Sequence, residues 1–200
     1  IMLLRLFQKC GHKPIILVGG GTTLIGDPSG KDETRKILSD DDIKKNKQGL
    51  NQIFKRFLSF DRTKDNCAEL IDNLEWLEKL NLIPFLRDIG SKFSVNKMLG
   101  LESIKQRLAR EQHLSFLEFN YSIMQAYDFM ILNEKYNCQI QFGGSDQWGN
   151  IVSGIDLVKK IKNLQLYGLT SPLVTTSSGN KMGKTAEGAV WVRAEKCSVG

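Results

Sequence analysis

Lys181 and Lys184 stand three residues apart in Lys181-Met182-Gly183-Lys184-Thr185, inside a Gly/Ser-rich stretch that opens at Ser177 and closes at Gly188. Two ammonium groups on such a segment make a cationic loop suited to following a polyphosphate whose charge moves during reaction. A lysine-rich loop is also ordinary solvated surface, so the pair gains meaning only from polar constellations elsewhere. Three lie upstream.

The first is Gly19-Gly20-Gly21-Thr22-Thr23-Leu24-Ile25-Gly26-Asp27-Pro28-Ser29-Gly30-Lys31, directly after an apolar run. Glycines in that place let the backbone approach a ligand and leave N–H groups free for anions. A P-loop reading fails, because Ile25 stands where glycine is needed and Asp32 follows the lysine. Asp27 beside Pro28 is equally a turn-former. Lys31 and Arg35, four apart, are either a phosphate clamp or a solvated helix face.

The second constellation is Tyr121, Gln125 and Asp128, spaced i, i+4, i+7 and so on one helix face. They form a polar stripe among Phe119, Ile123, Met130 and Ile131, which must be satisfied internally or by a ligand. The third is Gln139-Ile140-Gln141-Phe142-Gly143-Gly144-Ser145-Asp146-Gln147-Trp148-Gly149-Asn150. A strand runs there into two glycines and then into polar side chains at a helix start. Asp146 suits ribose hydroxyls and the loop N–H groups suit anions. The plainer alternative is a helix cap at Ser145 or Asp146, with Trp148 as packing.

These residues need elements to hold them. A helix over Leu3–Cys10 is stopped by Gly11, with Pro14 soon after. Ile15-Ile16-Leu17-Val18 is a continuous apolar run, as in a strand covered on both faces. A charged helix runs from Ser39 to about Leu58, with Ile43, Leu50, Ile53 and Phe54 inward. Short elements follow over Leu70–Leu77 and Ile83–Ile89. Helices are predicted over Ser103–Arg110, Phe119–Asn133 and about Asn150–Lys162, and a strand over Cys138–Phe142. Recurrence of strand, glycine loop and helix predicts an α/β fold with a doubly wound parallel sheet, whose ligands sit beyond the strands' carboxyl ends.

Composition sets the outer bounds. The 200 residues, 41% of them hydrophobic, suffice for one domain or two small ones. No apolar run reaches the ~18 residues of a transmembrane helix. Cys10, Cys67, Cys138 and Cys197 contain no CxxC pair, and with only two histidines a structural metal is not expected. Free thiols point to a reducing cytoplasm. A net charge of +6 is compatible with nucleic-acid or nucleotide partners.

Together, Val18–Lys31, Phe116–Phe129, Gln141–Ile151 and Leu169–Trp191 resemble the bacterial-type tyrosyl-tRNA synthetases, a class I aminoacyl-tRNA synthetase family. Lys181–Thr185 is similar to that family's second class I signature, which grips ATP. The resemblance implies that Asp27, Tyr121 and Gln125 hold the amino group of tyrosine. Asp128 would accept from its phenol, Gln147 would face its carboxylate, and Gln141 would support the pocket. It implies that Gly144 and Asp146 meet the ribose, with Leu173 and Val174 beside adenine. Lys31, Arg35, Lys181, Lys184 and Thr185 would surround the phosphates.

The implied reaction is attack of the tyrosine carboxylate on the α-phosphate of ATP, with Mg²⁺, followed by transfer to tRNA(Tyr). The resemblance also implies a homodimer built through a helical region at about 90–118, with Phe116 a contact. Arg107 and Arg110 either meet the tRNA acceptor stem or form a solvated helix face. DNA and membrane are not expected partners. Thr23 stands where the family is expected to carry glycine. The His-Ile-Gly-His signature would precede Ile1, and anticodon-binding and C-terminal RNA-binding domains would follow Gly200. Residues 1–200 alone are therefore expected to show little tyrosine-dependent ATP–pyrophosphate exchange, and near-normal exchange would refute that. The competing readings are a tryptophanyl-tRNA synthetase and a non-catalytic RNA-binding protein derived from a synthetase.

Overall fold

The computed structural model describes residues 1–25, 40–111 and 114–175. The described residues divide into two compact units, one over Ile1–Lys79 and one from Leu80 onward.

The first unit opens with helix α1 (Met2–Lys9). Gly11 follows it at φ 90°, a left-handed geometry that glycine adopts without penalty and that stops the helix as its position predicts. Gln8 is buried on α1, yet its amide is satisfied. Its Nε2 donates to the Ser59 and Asn66 carbonyls at 2.8 and 2.9 Å, and its Oε1 accepts the Ser59 N–H at 2.9 Å. Strand β1 (Ile15–Val18) runs parallel to β2 (Glu69–Asp72), with Ile15 opposite Glu69 and Val18 opposite Asp72. Helices α2 (Gly20–Ile25) and α3 (Asp40–Phe57) lie between them in sequence, and α4 (Leu74–Leu77) follows β2. Ile16, Leu58 and Ala68 form the buried centre, with Leu4, Phe54, Phe57, Phe60 and Leu70 packed against it. Leu50, expected inward on α3, is exposed.

Residues 20–25 are helical where the glycine pattern predicts an open loop. The reason is tertiary: Asp72 and Asn73, at the end of β2, accept the N–H groups of Gly20 and Gly21 and so cap α2 from outside.

The second unit contains α5 (Leu82–Asp88), a 3₁₀ turn at Gly90–Lys92, α6 (Val95–Leu99), α7 (Glu102–Ala109) and the long α8 (Phe116–Tyr136). Strand β3 (Ile140–Gly144) follows, then a 3₁₀ turn at Ser145–Gln147, α9 (Trp148–Lys162) and β4 (Tyr167–Ser171). β3 and β4 pair in parallel, with Ile140 opposite Tyr167 and Gly144 opposite Ser171, and α9 makes the crossover. β4 was not foreseen, since Tyr167-Gly-Leu-Thr-Ser has neither clean alternation nor an apolar run.

Packing of α8 on α9 centres on Gly154, where an added Cβ would lie 2.9 Å from Phe129 Cδ1. Ala126, Phe129, Ile151 and Val158 are fully buried around it. Asn163 ends α9 in the left-handed region at φ 54°, a role asparagine tolerates. Each unit is thus helices with a parallel strand pair, the α/β organisation that the strand–loop–helix recurrence predicts.

Candidate active site

Helix α8 carries Tyr121, Gln125 and Asp128 on one face, as their spacing requires. Asp128 is 3% exposed, while Tyr121 and Gln125 are half-buried. A carboxylate so enclosed is expensive unless it is hydrogen-bonded, so α8 holds a polar group committed to a partner. The neighbouring Tyr127 phenol is pushed above its usual range by burial, with the Glu134 and Asp128 carboxylates adding to the effect.

The turn at the end of β3 and the first turn of α9 bring three more polar side chains to this face. Asn150 Nδ2 donates to Gln125 Oε1 at 3.0 Å and lies 3.5 Å from Gln147 Oε1. Gln125 Nε2 donates to Gln147 Oε1 at 3.5 Å, and Gln147 Nε2 to Asp146 Oδ2 at 3.5 Å. Neither Ser145 nor Asp146 caps α9. Gln147 occupies the N-cap position and makes no side-chain cap bond there. Its amide is turned instead to the stripe.

Gly144 allows two neighbouring side chains to approach closely. An added Cβ would lie 2.7 Å from Asp146 Oδ1 and 2.9 Å from Leu173 Cδ2. Gly144, Asp146 and Leu173 are therefore in one place, and Val174, next to Leu173 in sequence, is exposed. On β3, Gln141 Oε1 is buried with no hydrogen-bond partner among the described residues, as is Ser122 Oγ on α8. Trp148, read as packing, is 51% exposed and walls a cavity of about 280 Å³ with Phe93, Met98, Leu101 and the Lys97–Asp156 ion pair (3.0 Å).

In the first unit, the expectation of N–H groups left free for anions is corrected at Gly20 and Gly21. Asp72 Oδ1 accepts the Gly20 N–H at 3.0 Å and the Leu74 N–H at 3.0 Å, and Asp72 is also ion-paired with Lys47. Asn73 Oδ1 accepts the Gly21 N–H at 2.8 Å. The positive end of α2 is already occupied by a carboxylate of the chain itself. An added Cβ at Gly20 would lie 2.3 Å from Asp72 Oδ1, so that glycine serves close approach by protein, not by ligand. Asp27, Lys31, Arg35, Lys181, Lys184 and Thr185 lie outside the described residues. Among the described residues, no group of three or more His, Cys, Asp or Glu is placed to hold a metal ion.

Sequence reasoning missed Asp72, Asn73, Lys47 and Asn150. An Asp-Asn pair at a strand end before a helix is a capping signal, but it points to the helix that follows, not to α2. Asn150 carries no signal without knowledge of which residue faces it.

A family sequence pattern described as tRNA synthetases class I (W and Y) matches residues 1–199. The chain belongs to this synthetase family. Among curated members, the tyrosine–tRNA ligases of Orientia tsutsugamushi strain Ikeda and Rickettsia massiliae strain Mtu5 are each 58% identical to it over 198 residues. The match covers 99% of the chain and 48% of each relative, so the chain spans about half the length of the curated relatives it matches. Two C-terminally truncated mitochondrial tyrosyl-tRNA synthetases share the fold at 30% identity. That of Coccidioides posadasii has a TM-score of 0.78 over 98% of this chain and 57% of its own. That of Aspergillus nidulans has a TM-score of 0.75 over 90% and 57%. The synthetase chain is thus of the class I catalytic α/β type. Among its described residues no helix is long and apolar enough to cross a membrane.

Proposed function

We propose that this chain is the catalytic portion of a tyrosine–tRNA ligase, joining L-tyrosine to ATP as tyrosyl-adenylate and then passing tyrosine to tRNA(Tyr). The observation that carries the reading is the Tyr121–Gln125–Asp128 face of α8 with Gln147 turned onto it. An amino acid's carboxylate is already a nucleophile, so the first step needs no general base. Its lone pair attacks the α-phosphorus, the bond to the β-phosphate oxygen breaks, and pyrophosphate leaves. Catalysis then rests on positioning and on stabilising charge.

In this reading Asp128 accepts from the phenol, and its burial excludes the water that would otherwise compete. A site built to pair a hydroxyl rejects the analogue lacking it, and tyrosine enzymes are the established instance. Tyr121, Gln125 and Asp27 meet the amino group, Gln147 meets the carboxylate, and Gln141 supports the pocket. Gly144, Asp146, Leu173 and Val174 take the nucleoside. Lys31, Arg35, Lys181, Lys184 and Thr185 take the phosphates, with Mg²⁺ entering as their counter-ion and so as part of the substrate.

A homodimer belongs to the proposal. Phe116 (80% exposed), Val95 (58%) and Leu108 (48%) are large apolar side chains left uncovered in the second unit. The region at about 90–118 is assigned to that contact, and exposed Arg110 to the acceptor stem. A cytoplasmic setting is proposed from the free thiols of Cys10, Cys67 and Cys138.

The test is ATP–pyrophosphate exchange by the protein of the complete reading frame, with tyrosine, tryptophan and phenylalanine supplied in turn. Tyrosine alone should support exchange. Exchange with tryptophan would establish the rival specificity, and none with any amino acid would establish a non-catalytic derivative.

A further inference from the structure

Asn150 has no assigned role, yet it touches Gln125 and Gln147 of the candidate tyrosine site. We infer that Asn150 is a positioning residue that sets the polarity of the Gln125–Gln147 amide pair, and with it the site's ability to take an amino-acid zwitterion. The inference rests on the tyrosine-activation reading above.

A carboxamide can present its oxygen or its nitrogen on a given side, and the two choices have opposite hydrogen-bonding character. Asn150 decides between them by aiming its NH₂, a donor only, at both neighbours. Its Nδ2 lies 3.0 Å from Gln125 Oε1 and 3.5 Å from Gln147 Oε1. Gln125 Nε2 faces Gln147 Oε1 at 3.5 Å, so the latter oxygen meets two donors and is held inward. The NH₂ of Gln147 is thereby turned the other way, where one N–H reaches Asp146 Oδ2 at 3.5 Å.

The consequences for a ligand follow from counting lone pairs and protons. Gln125 Oε1 keeps one lone pair after accepting from Asn150, and an ammonium can donate to it. Gln147 keeps one N–H after donating to Asp146, and a carboxylate can accept it. Reversing both amides would offer an N–H to the ammonium and an oxygen to the carboxylate, repelling each. Asn150 stands one helical turn from Gln147, in the first turn of α9, so the backbone fixes its approach.

The experiment uses the protein of the complete reading frame in ATP–pyrophosphate exchange. Asn150→Leu keeps the volume and removes the donor. It should raise the KM for tyrosine about tenfold while leaving kcat and the KM for ATP within about twofold. In a Gln125→Ala/Gln147→Ala background the same substitution should add less than about twofold, because a residue acting through those amides has nothing left to orient. An unchanged tyrosine KM, an equal rise for ATP, or full additivity in that background would each overturn the inference. Asn150→Ala carries the same test should Asn150→Leu not fold. Wild-type protein without tyrosine-dependent exchange defeats the functional reading and the inference together. Wild-type exchange with an indifferent Asn150→Leu defeats the inference alone.

Discussion

Asn73 Oδ1 accepts the backbone N–H of Gly21 at 2.8 Å, joining the end of β2 to the start of α2 across 52 positions of sequence. Asn73 is 1% exposed, so this is a fully enclosed hydrogen bond. Asn73 also occupies the N-cap position of α4, where its side chain makes no cap bond. One residue therefore begins one helix by its backbone and another by its side chain.

Replacing Asn73 by Ala leaves the Gly21 N–H enclosed and unpaired, at a cost of about 1–3 kcal/mol. Asn73→Asp, which retains an acceptor, should lose less. Urea unfolding of the three proteins checks the order, and equal midpoints would show that the bond does not support the fold.

Gly154→Ala places a methyl group 2.9 Å from Phe129 Cδ1 and 3.2 Å from its Cβ. Phe129 is fully enclosed and cannot swing away, so α8 and α9 must separate. The expected destabilisation is about 1–3 kcal/mol. A Phe129→Leu background should recover part of it, and thermal unfolding of single and double variants measures the coupling.

Gln141 Oε1 is buried without a partner among the described residues, so a Gln141→Met exchange of similar volume costs the free fold little. If tyrosine uses that oxygen, the KM for tyrosine should rise by about tenfold while the unfolding midpoint holds or increases. A lowered midpoint with unchanged KM would make Gln141 a purely structural group.

Asp128→Asn removes the acceptor charge proposed for the phenol while keeping the side chain's shape. Discrimination between tyrosine and phenylalanine should collapse, chiefly through loss of activity on tyrosine. Exchange rates with each amino acid give the ratio, and an unaltered ratio would remove Asp128 from the phenol.

Alkaline conditions should weaken the second unit. Burial raises the Cys138 thiol above its ordinary 9.0, and burial followed by Glu134 and Asp128 raises the Tyr127 phenol above 10.0. Both groups bind their protons more tightly folded than unfolded. Their contribution is therefore complete below those ordinary values and is lost as pH rises through the folded ones. Thermal midpoints from about pH 8 to about pH 11 should fall less steeply in Cys138→Ala/Tyr127→Phe than in wild type. Parallel slopes would assign the alkaline loss to other groups.

Much of this protein is legible from local pattern. Ile15–Val18, the α8 stripe and the run from Gln141 to Asn150 each contain their signal within a dozen residues, and period and spacing are properties of the chain alone. Gly20-Gly21-Thr22 was misleading for the complementary reason. Two adjacent glycines disfavour a helix in isolation, and Asp72 and Asn73 supply from afar the acceptors that make one. β4 escaped notice similarly, because Tyr167–Ser171 becomes a strand by pairing with β3.

The sequence by itself determined the family, the α/β class, and which side chains share a helix face, since these follow from residue order and backbone period. Only the tertiary structure decided which hydrogen-bonding groups remain open. It closed Gly20 and Gly21 with Asp72 and Asn73, left Gln141 Oε1 without a partner among the described residues, and put Asn150 against Gln125 and Gln147. A donor's availability depends on what stands within about 3 Å of it, and no spacing along the chain encodes that.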